Sequence, residues 1–188
     1  MINIPNILTL SRIIMVPVIV ILLIQSSFFK ALVVFVIAGI TDGLDGFLAR
    51  VLNKKTVLGT YLDPIADKAL IISSFVTLSA LGIIPSWLTV IVISRDCIIL
   101  VGIFILVLMA VPFEVKPALI SKITTTLQLL TVFLALGFKS LLLDIDLRSH
   151  YLDDVIYWVT ALFTVASGIN YISIGLKSVN HVPSSAKK

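Results

Sequence analysis

The chain has 188 residues, 59% of them hydrophobic and 13% charged, with a mean hydropathy of +1.17 and a formal charge of +4. Soluble domains carry about 25% charged residues, so this composition excludes an ordinary soluble domain and describes a polytopic membrane protein of one compact domain. The basic residues form no stripe with interleaved aromatics, which argues against nucleic acid; beside apolar spans they act as topology signals or contacts to anionic lipid. The lone cysteine, Cys97, excludes an internal disulfide and a cysteine-cluster metal site, and its neighbours "CIILVG" predict a buried, inert thiol.

In chain order, "NIPNILTLSR" predicts a short interfacial helix, with Asn3 as a cap and Pro5 near its start. Apolar runs of helical length then fall at 12–27, 29–50, 60–82, 86–110, 118–139 and 152–176. Spanning needs about 20 apolar residues, so the expected architecture is all-α: an integral membrane bundle of six transmembrane helices. Residues 1–179 form the membrane domain, and the polar stretch 180–188, "NHVPSSAKK", is expected to be a disordered cytoplasmic tail.

Loop charges orient the bundle. Six spans place Arg12, Arg50, Lys54, Lys55, Lys116, Lys122, Lys177, Lys187 and Lys188 on one side, against Lys30, Lys139 and Arg148 on the other. The positive-inside rule makes both termini cytoplasmic, as expected of a protein of the cell's inner membrane. Asp42 and Asp45 then fall in the cytoplasmic third of the second span, and Asp63 and Asp67 in the first turns of the third.

Four carboxylates inside apolar spans mark function. Asp42 and Asp45 are spaced i, i+3 and Asp63 and Asp67 i, i+4, so each pair shares a helical face. Four facing carboxylates in low dielectric repel or take up protons unless cations neutralise them. Oxygen-only ligands suit Mg²⁺, with Mn²⁺ as its substitute, and two such ions can clamp a phosphoryl transfer. Gly46, Ala49 and Gly59 leave room for a flat ligand, and Arg50 can pair with phosphate. The same residues also fit blander roles. An acidic cluster can line an ion pathway, small residues serve helix packing, and an arginine anchors at the interface.

The spacing Asp42-x2-Asp45-Gly46-x2-Ala49-Arg50-x8-Gly59-x3-Asp63-x3-Asp67 resembles the CDP-alcohol phosphotransferase signature at every defined position. The resemblance implies a six-helix membrane homodimer that moves a phosphatidyl-type group from a CDP-linked donor to an alcohol, releasing CMP. It implies that Asp42, Asp45 and Asp63 ligate two divalent metals, with Asp67 helping to hold one and acting as general base. It further implies that Gly46, Ala49 and Gly59 accommodate the cytidine nucleotide and that Arg50 binds near its phosphates.

The opening "NIPNILTLSRIIMVP" is similar to that of two branches of this family, the phosphatidylglycerophosphate synthases and the cardiolipin synthases, which implies CDP-diacylglycerol as donor. The first branch takes glycerol 3-phosphate as acceptor, the second phosphatidylglycerol. Phosphatidylglycerophosphate synthases commonly carry a second arginine eight residues after the one matching Arg95, and here Ile103 stands there. "KPALISKITTTLQL" resembles the corresponding stretch of mitochondrial-type cardiolipin synthases, where Lys116 and Lys122 would hold acceptor phosphate with Arg95 deeper in the cavity. Positive-inside topology accounts for both lysines equally well. Arg95 and Asp96 point about 100° apart on a helix, so each is expected to have partners elsewhere. The resemblance thus favours a phosphatidylglycerol acceptor over glycerol 3-phosphate, with ion transport as the remote alternative.

Overall fold

The computed structural model describes the backbone of residues 4–51, 57–108, 119–140 and 148–180, and the side chains of 9–43, 65–102, 105, 108, 119–140 and 154–175. These residues form six α-helices and no strand: α1 (Ile4–Ile24), α2 (Phe28–Val51), α3 (Val57–Ala80), α4 (Ser86–Leu108), α5 (Leu119–Ser140) and α6 (Arg148–Asn180). The tail 181–188 and Lys116 lie outside the described residues.

The expected separate interfacial helix is corrected. "IPNILTLSR" is not a distinct element but the opening of α1, which runs unbroken from Ile4 to Ile24, and the expected cap Asn3 lies outside the described residues. No glycine or proline separates Leu8 from Val16, so nothing stops the hydrogen-bond ladder there; Pro5 sits in the first turn, where a missing N–H costs little.

Two helix ends are closed by the same device. Gly82, at φ 69°, follows α3, with Ile83 N–H donating to Leu78 C=O at 2.9 Å and Gly82 N–H to Ser79 C=O at 3.0 Å. Ser26, at φ 56°, follows α1, with Ser27 N–H donating to Leu22 C=O and Ser26 N–H to Leu23 C=O, both at 2.9 Å. Both are Schellman caps that satisfy carbonyls left over at the helix end. Pro85 then prevents α3 from continuing, and its carbonyl accepts from Leu88 N–H at the start of α4.

Helix α1 packs on α2 and α3, α6 packs on α4 and α5, and contacts of α2 with α5 and of α3 with α4 and α5 join the halves. The core between them is apolar: Ile19, Leu23, Phe35, Leu70, Phe75, Leu88, Val92 and Leu136 are all buried. The α5–α6 seam is polar instead. Thr131 and Thr160 hydroxyls lie 2.8 Å apart, Thr124 Oγ1 donates to Phe163 C=O at 3.0 Å, and Gln128 Nε2 reaches Thr164 Oγ1 at 3.5 Å. Thr124, Gln128 and Thr131 follow i, i+4, i+7 on α5, as do Thr160, Thr164 and Ser167 on α6, so each set is one helical face. Interhelical hydrogen bonds of this kind join helices in lipid, where apolar burial supplies little drive.

The outer surface is oily: Ile14, Ile24, Val90, Leu100, Trp158, Leu162 and Ile169 are exposed. So many exposed apolar side chains are foreign to a soluble monomer. Leu119–Ser140 and Asp154–Gly175 are long and apolar enough to cross a membrane, and Thr9–Ile24 is a shorter apolar stretch. Cys97 corrects a second expectation, because it is exposed rather than buried. Its apolar neighbours Ile98, Leu100 and Val101 are exposed with it, so "CIILVG" supplies an outward apolar face rather than core.

Candidate active site

Three helices bring charge to one point. Counting at 1.5 Å per residue, Arg12 lies about 12 Å from the start of α1, Asp42 about 14 Å from the end of α2 and Asp67 about 15 Å from the start of α3. Those three ends lie on one side of the bundle, so the residues share a level between the packed helices. The level is deeper than the first turns of α3, because that helix begins at Val57, three residues before the expected start at 60.

Arg12 is fully buried, whereas the side chains of Asp42 and Asp67 keep 47% and 38% exposure. Its Nη1 donates to Asp67 Oδ1, and its Nη2 stands 3.0 Å from Asp42 Oδ1 as an ion pair without hydrogen-bond geometry. One cationic group therefore holds the first and last aspartates of the signature together across α2 and α3. A cation does fit between them: the guanidinium occupies that position, and both carboxylates turn an oxygen towards it. Asp45, Gly46, Ala49 and Arg50 continue α2, and Gly59 and Asp63 lie in the opening turns of α3, but their side chains lie outside those described. Among the described residues, no three His, Cys, Asp or Glu side chains converge as a metal site. The described part thus contains two of the four aspartates, and they meet.

A second charged cluster lies beside the first. Lys68, next in sequence to Asp67, donates from Nζ to Asp96 Oδ1 at 2.6 Å, and Arg95 Nη1 donates to the same oxygen at 2.7 Å. Arg95 also donates from Nη2 to Ser121 Oγ at 2.6 Å and to Ser167 Oγ at 2.8 Å, and from Nε to Ser167 Oγ at 3.3 Å. Its guanidinium carbon lies 5.7 Å from the centroid of the Tyr171 ring. Arg95 and Asp96 therefore do pair directly, although both also have the partners elsewhere that their spacing implies. This arginine ties α4 to α5 and α6. Lys122, by contrast, is exposed near the start of α5.

Sequence reasoning counted Arg12 as a topology charge and passed over Lys68 altogether. A signal for Arg12 was present: an arginine eight residues into an unbroken apolar helix is too deep for a loop charge.

A helical bundle with carboxylates on adjacent helices turned towards one cationic group defines a class of protein with a charged site held between its helices. The sequence model described as CDP-alcohol phosphatidyltransferase matches residues 2–166. The chain belongs to that family. It is 36% identical to a cardiolipin synthase (CMP-forming) of Rattus norvegicus, over 94% of this chain and 63% of the relative. It is 32% identical to a CDP-diacylglycerol–glycerol-3-phosphate 3-phosphatidyltransferase of Bacillus subtilis, over 92% of this chain and 95% of the relative. Identity to a probable phosphatidylglycerophosphate synthase of Mycobacterium tuberculosis is 33%, over 98% of this chain and 87% of the relative. The chain spans less than two thirds of the length of the rat cardiolipin synthase and of its human counterpart.

Proposed function

We propose that this protein is a phosphatidyltransferase of the inner membrane that uses CDP-diacylglycerol as donor and phosphatidylglycerol as acceptor, forming cardiolipin and releasing CMP. The observation that carries the transferase reading is the meeting of Asp42 and Asp67, the outer members of the signature, at a single cation position. Asp42, Asp45 and Asp63, with help from Asp67, would hold two Mg²⁺ or Mn²⁺ ions. Bound there, the ions would offset charge on the diphosphate and the departing CMP.

The chain's own residues supply the rest. Asp67 accepts the proton of the acceptor hydroxyl, whose oxygen forms a new bond to the phosphorus carrying the diacylglycerol. The bond from that phosphorus to the CMP oxygen breaks, and CMP leaves with the electron pair. Gly46, Ala49 and Gly59 accommodate the cytidine and Arg50 pairs with its phosphates. Lys116 and Lys122 meet the acceptor phosphate, with Arg95 behind them. Since Arg95 already donates to Asp96, Ser121 and Ser167, its part there is mainly to hold the wall of the cavity.

All six helices cross the membrane with both termini cytoplasmic, and the protein works as a homodimer. The phosphatidylglycerol acceptor rests on Ile103, which supplies no second cation for the dianion of glycerol 3-phosphate, and on likeness to the rat cardiolipin synthase. Near-complete coverage of the Bacillus subtilis enzyme favours the second reading, glycerol 3-phosphate as acceptor. Product analysis decides between them. Purified protein given CDP-diacylglycerol and each acceptor in turn should make cardiolipin and little phosphatidylglycerophosphate; efficient phosphatidylglycerophosphate formation without cardiolipin would reverse the choice.

A further inference from the structure

Arg12 has an unusual balance of partners. Its side chain is fully buried, and two carboxylates from two other helices converge on it. Yet among the described residues its Nε and Nη2 have no hydrogen-bond partner. Burying guanidinium donors without acceptors is costly, and an apolar side chain would fill the same space without that cost.

The carboxylates that Arg12 contacts through one oxygen each are also those that would hold a divalent cation. A guanidinium and a divalent ion on the same carboxylates repel each other at ion-pair distance, so they compete for them. The guanidinium must then find another anion within reach. In a phosphatidyl transfer, the anion that arrives at the carboxylates is the diphosphate of the donor. Guanidinium and phosphate match as forked, charge-assisted pairs, and the unmet Nε and Nη2 supply such a fork.

We propose that Arg12 is the resident counter-ion of the Asp42–Asp67 pair, which competes with the divalent cation and, once displaced, binds the diphosphate of the CDP-linked donor. The inference rests on the transferase reading above. In this role Arg12 keeps the two carboxylates together before the ions enter and returns to them when CMP leaves. It is a positioning residue towards the carboxylates and a binding residue towards the donor.

The test is a Mn²⁺ titration of the full chain in nanodiscs, read by electron paramagnetic resonance, on wild type, Arg12→Gln and Arg12→Lys. Removing the competing charge should make Arg12→Gln bind Mn²⁺ about 10-fold more tightly, while Arg12→Lys, which keeps the charge, stays near wild type. With Mg²⁺ present, Arg12→Gln should bind CDP-diacylglycerol about 10-fold more weakly. A merely structural arginine would give weaker binding of both. Equal or weaker Mn²⁺ binding by folded Arg12→Gln overturns the counter-ion role, and unchanged CDP-diacylglycerol binding overturns the hand-over to the diphosphate. Should Arg12→Gln fail to fold, the Nε resonance of Arg12 in wild type decides. It should shift with Mg²⁺ and again with CDP-diacylglycerol, and a resonance that moves with neither overturns the proposal. Wild type that binds no Mn²⁺ removes the metal reading of the site and this inference with it, whereas wild-type binding that Arg12→Gln leaves unaltered removes this inference alone.

Discussion

Lys68 of α3 and Asp96 of α4 meet through a 2.6 Å hydrogen bond, on the same Asp96 oxygen that takes the guanidinium of Arg95 at 2.7 Å. One carboxylate oxygen thus serves two cations, one of them Lys68, the residue after Asp67 on α3. Asp96 and Arg95 are 2% and 4% exposed, so the carboxylate offsets a guanidinium that water does not reach, while Lys68 keeps 31% exposure.

Asp96→Ala should therefore be severe. Removing one partner of a buried ion pair costs about 3–5 kcal/mol, and here it leaves two cations facing each other. Denaturant unfolding in mixed micelles measures this. A loss of about 1 kcal/mol or less, as for an exposed pair, would mean that water or lipid headgroups reach the cluster.

The α5–α6 seam lends itself to a double-mutant cycle. Thr131→Val removes the 2.8 Å partner of the Thr160 hydroxyl and should cost about 0.6–1.7 kcal/mol. Thr131→Val with Thr160→Val should cost less than the two single changes summed, because no donor is then stranded. Strictly additive costs would mean that the 2.8 Å contact contributes nothing.

Ser26 is a position open to improvement. It holds φ 56° at the α1 cap, where a side chain costs about 1–2 kcal/mol relative to glycine. Ser26→Gly should raise stability by about 1 kcal/mol, while Gly82→Ala, at φ 69°, should lower it by a similar amount. Thermal unfolding of the two variants in the same detergent should move in opposite directions.

Topology can be probed with single cysteines. Cys97 is exposed on an apolar face, so the background must carry Cys97→Ser before reporters are added. Cysteines at Ser149 and Ser184 should react with an impermeant maleimide from opposite sides of sealed vesicles. Labelling of both from one side contradicts six crossings.

Much of this architecture is readable from residue pattern, for reasons that particular positions make plain. The apolar runs marked helices because their length and hydropathy suit little else, and the aspartate spacing needed only helical geometry to put Asp42 with Asp45 on one face and Asp63 with Asp67 on another. The role of Arg12 was not readable, because it depends on α1 packing against both α2 and α3. Joining the opening segment to the first span would have revealed its depth. Cys97 misled because apolar neighbours predict burial only where the outer face of a helix is polar; α4 carries Ile98, Leu100 and Val101 on its exposed face, so they accompany exposure here. The stripes Thr124–Gln128–Thr131 and Thr160–Thr164–Ser167 were legible as helical faces, but which helix each one meets is tertiary information.

The central claim is that Asp42 and Asp67 belong to one cation-assisted transfer site, and CMP release tests it most directly. Wild-type protein in vesicles of CDP-diacylglycerol and phosphatidylglycerol should release CMP only when Mg²⁺ or Mn²⁺ is supplied. Asp67→Asn, which removes the base, should lower that rate by about 100-fold or more while still binding CDP-diacylglycerol, and Asp42→Ala should abolish it together with most divalent-ion binding. Near-normal CMP release by either variant, or release from wild type in the presence of excess chelator, would contradict the account.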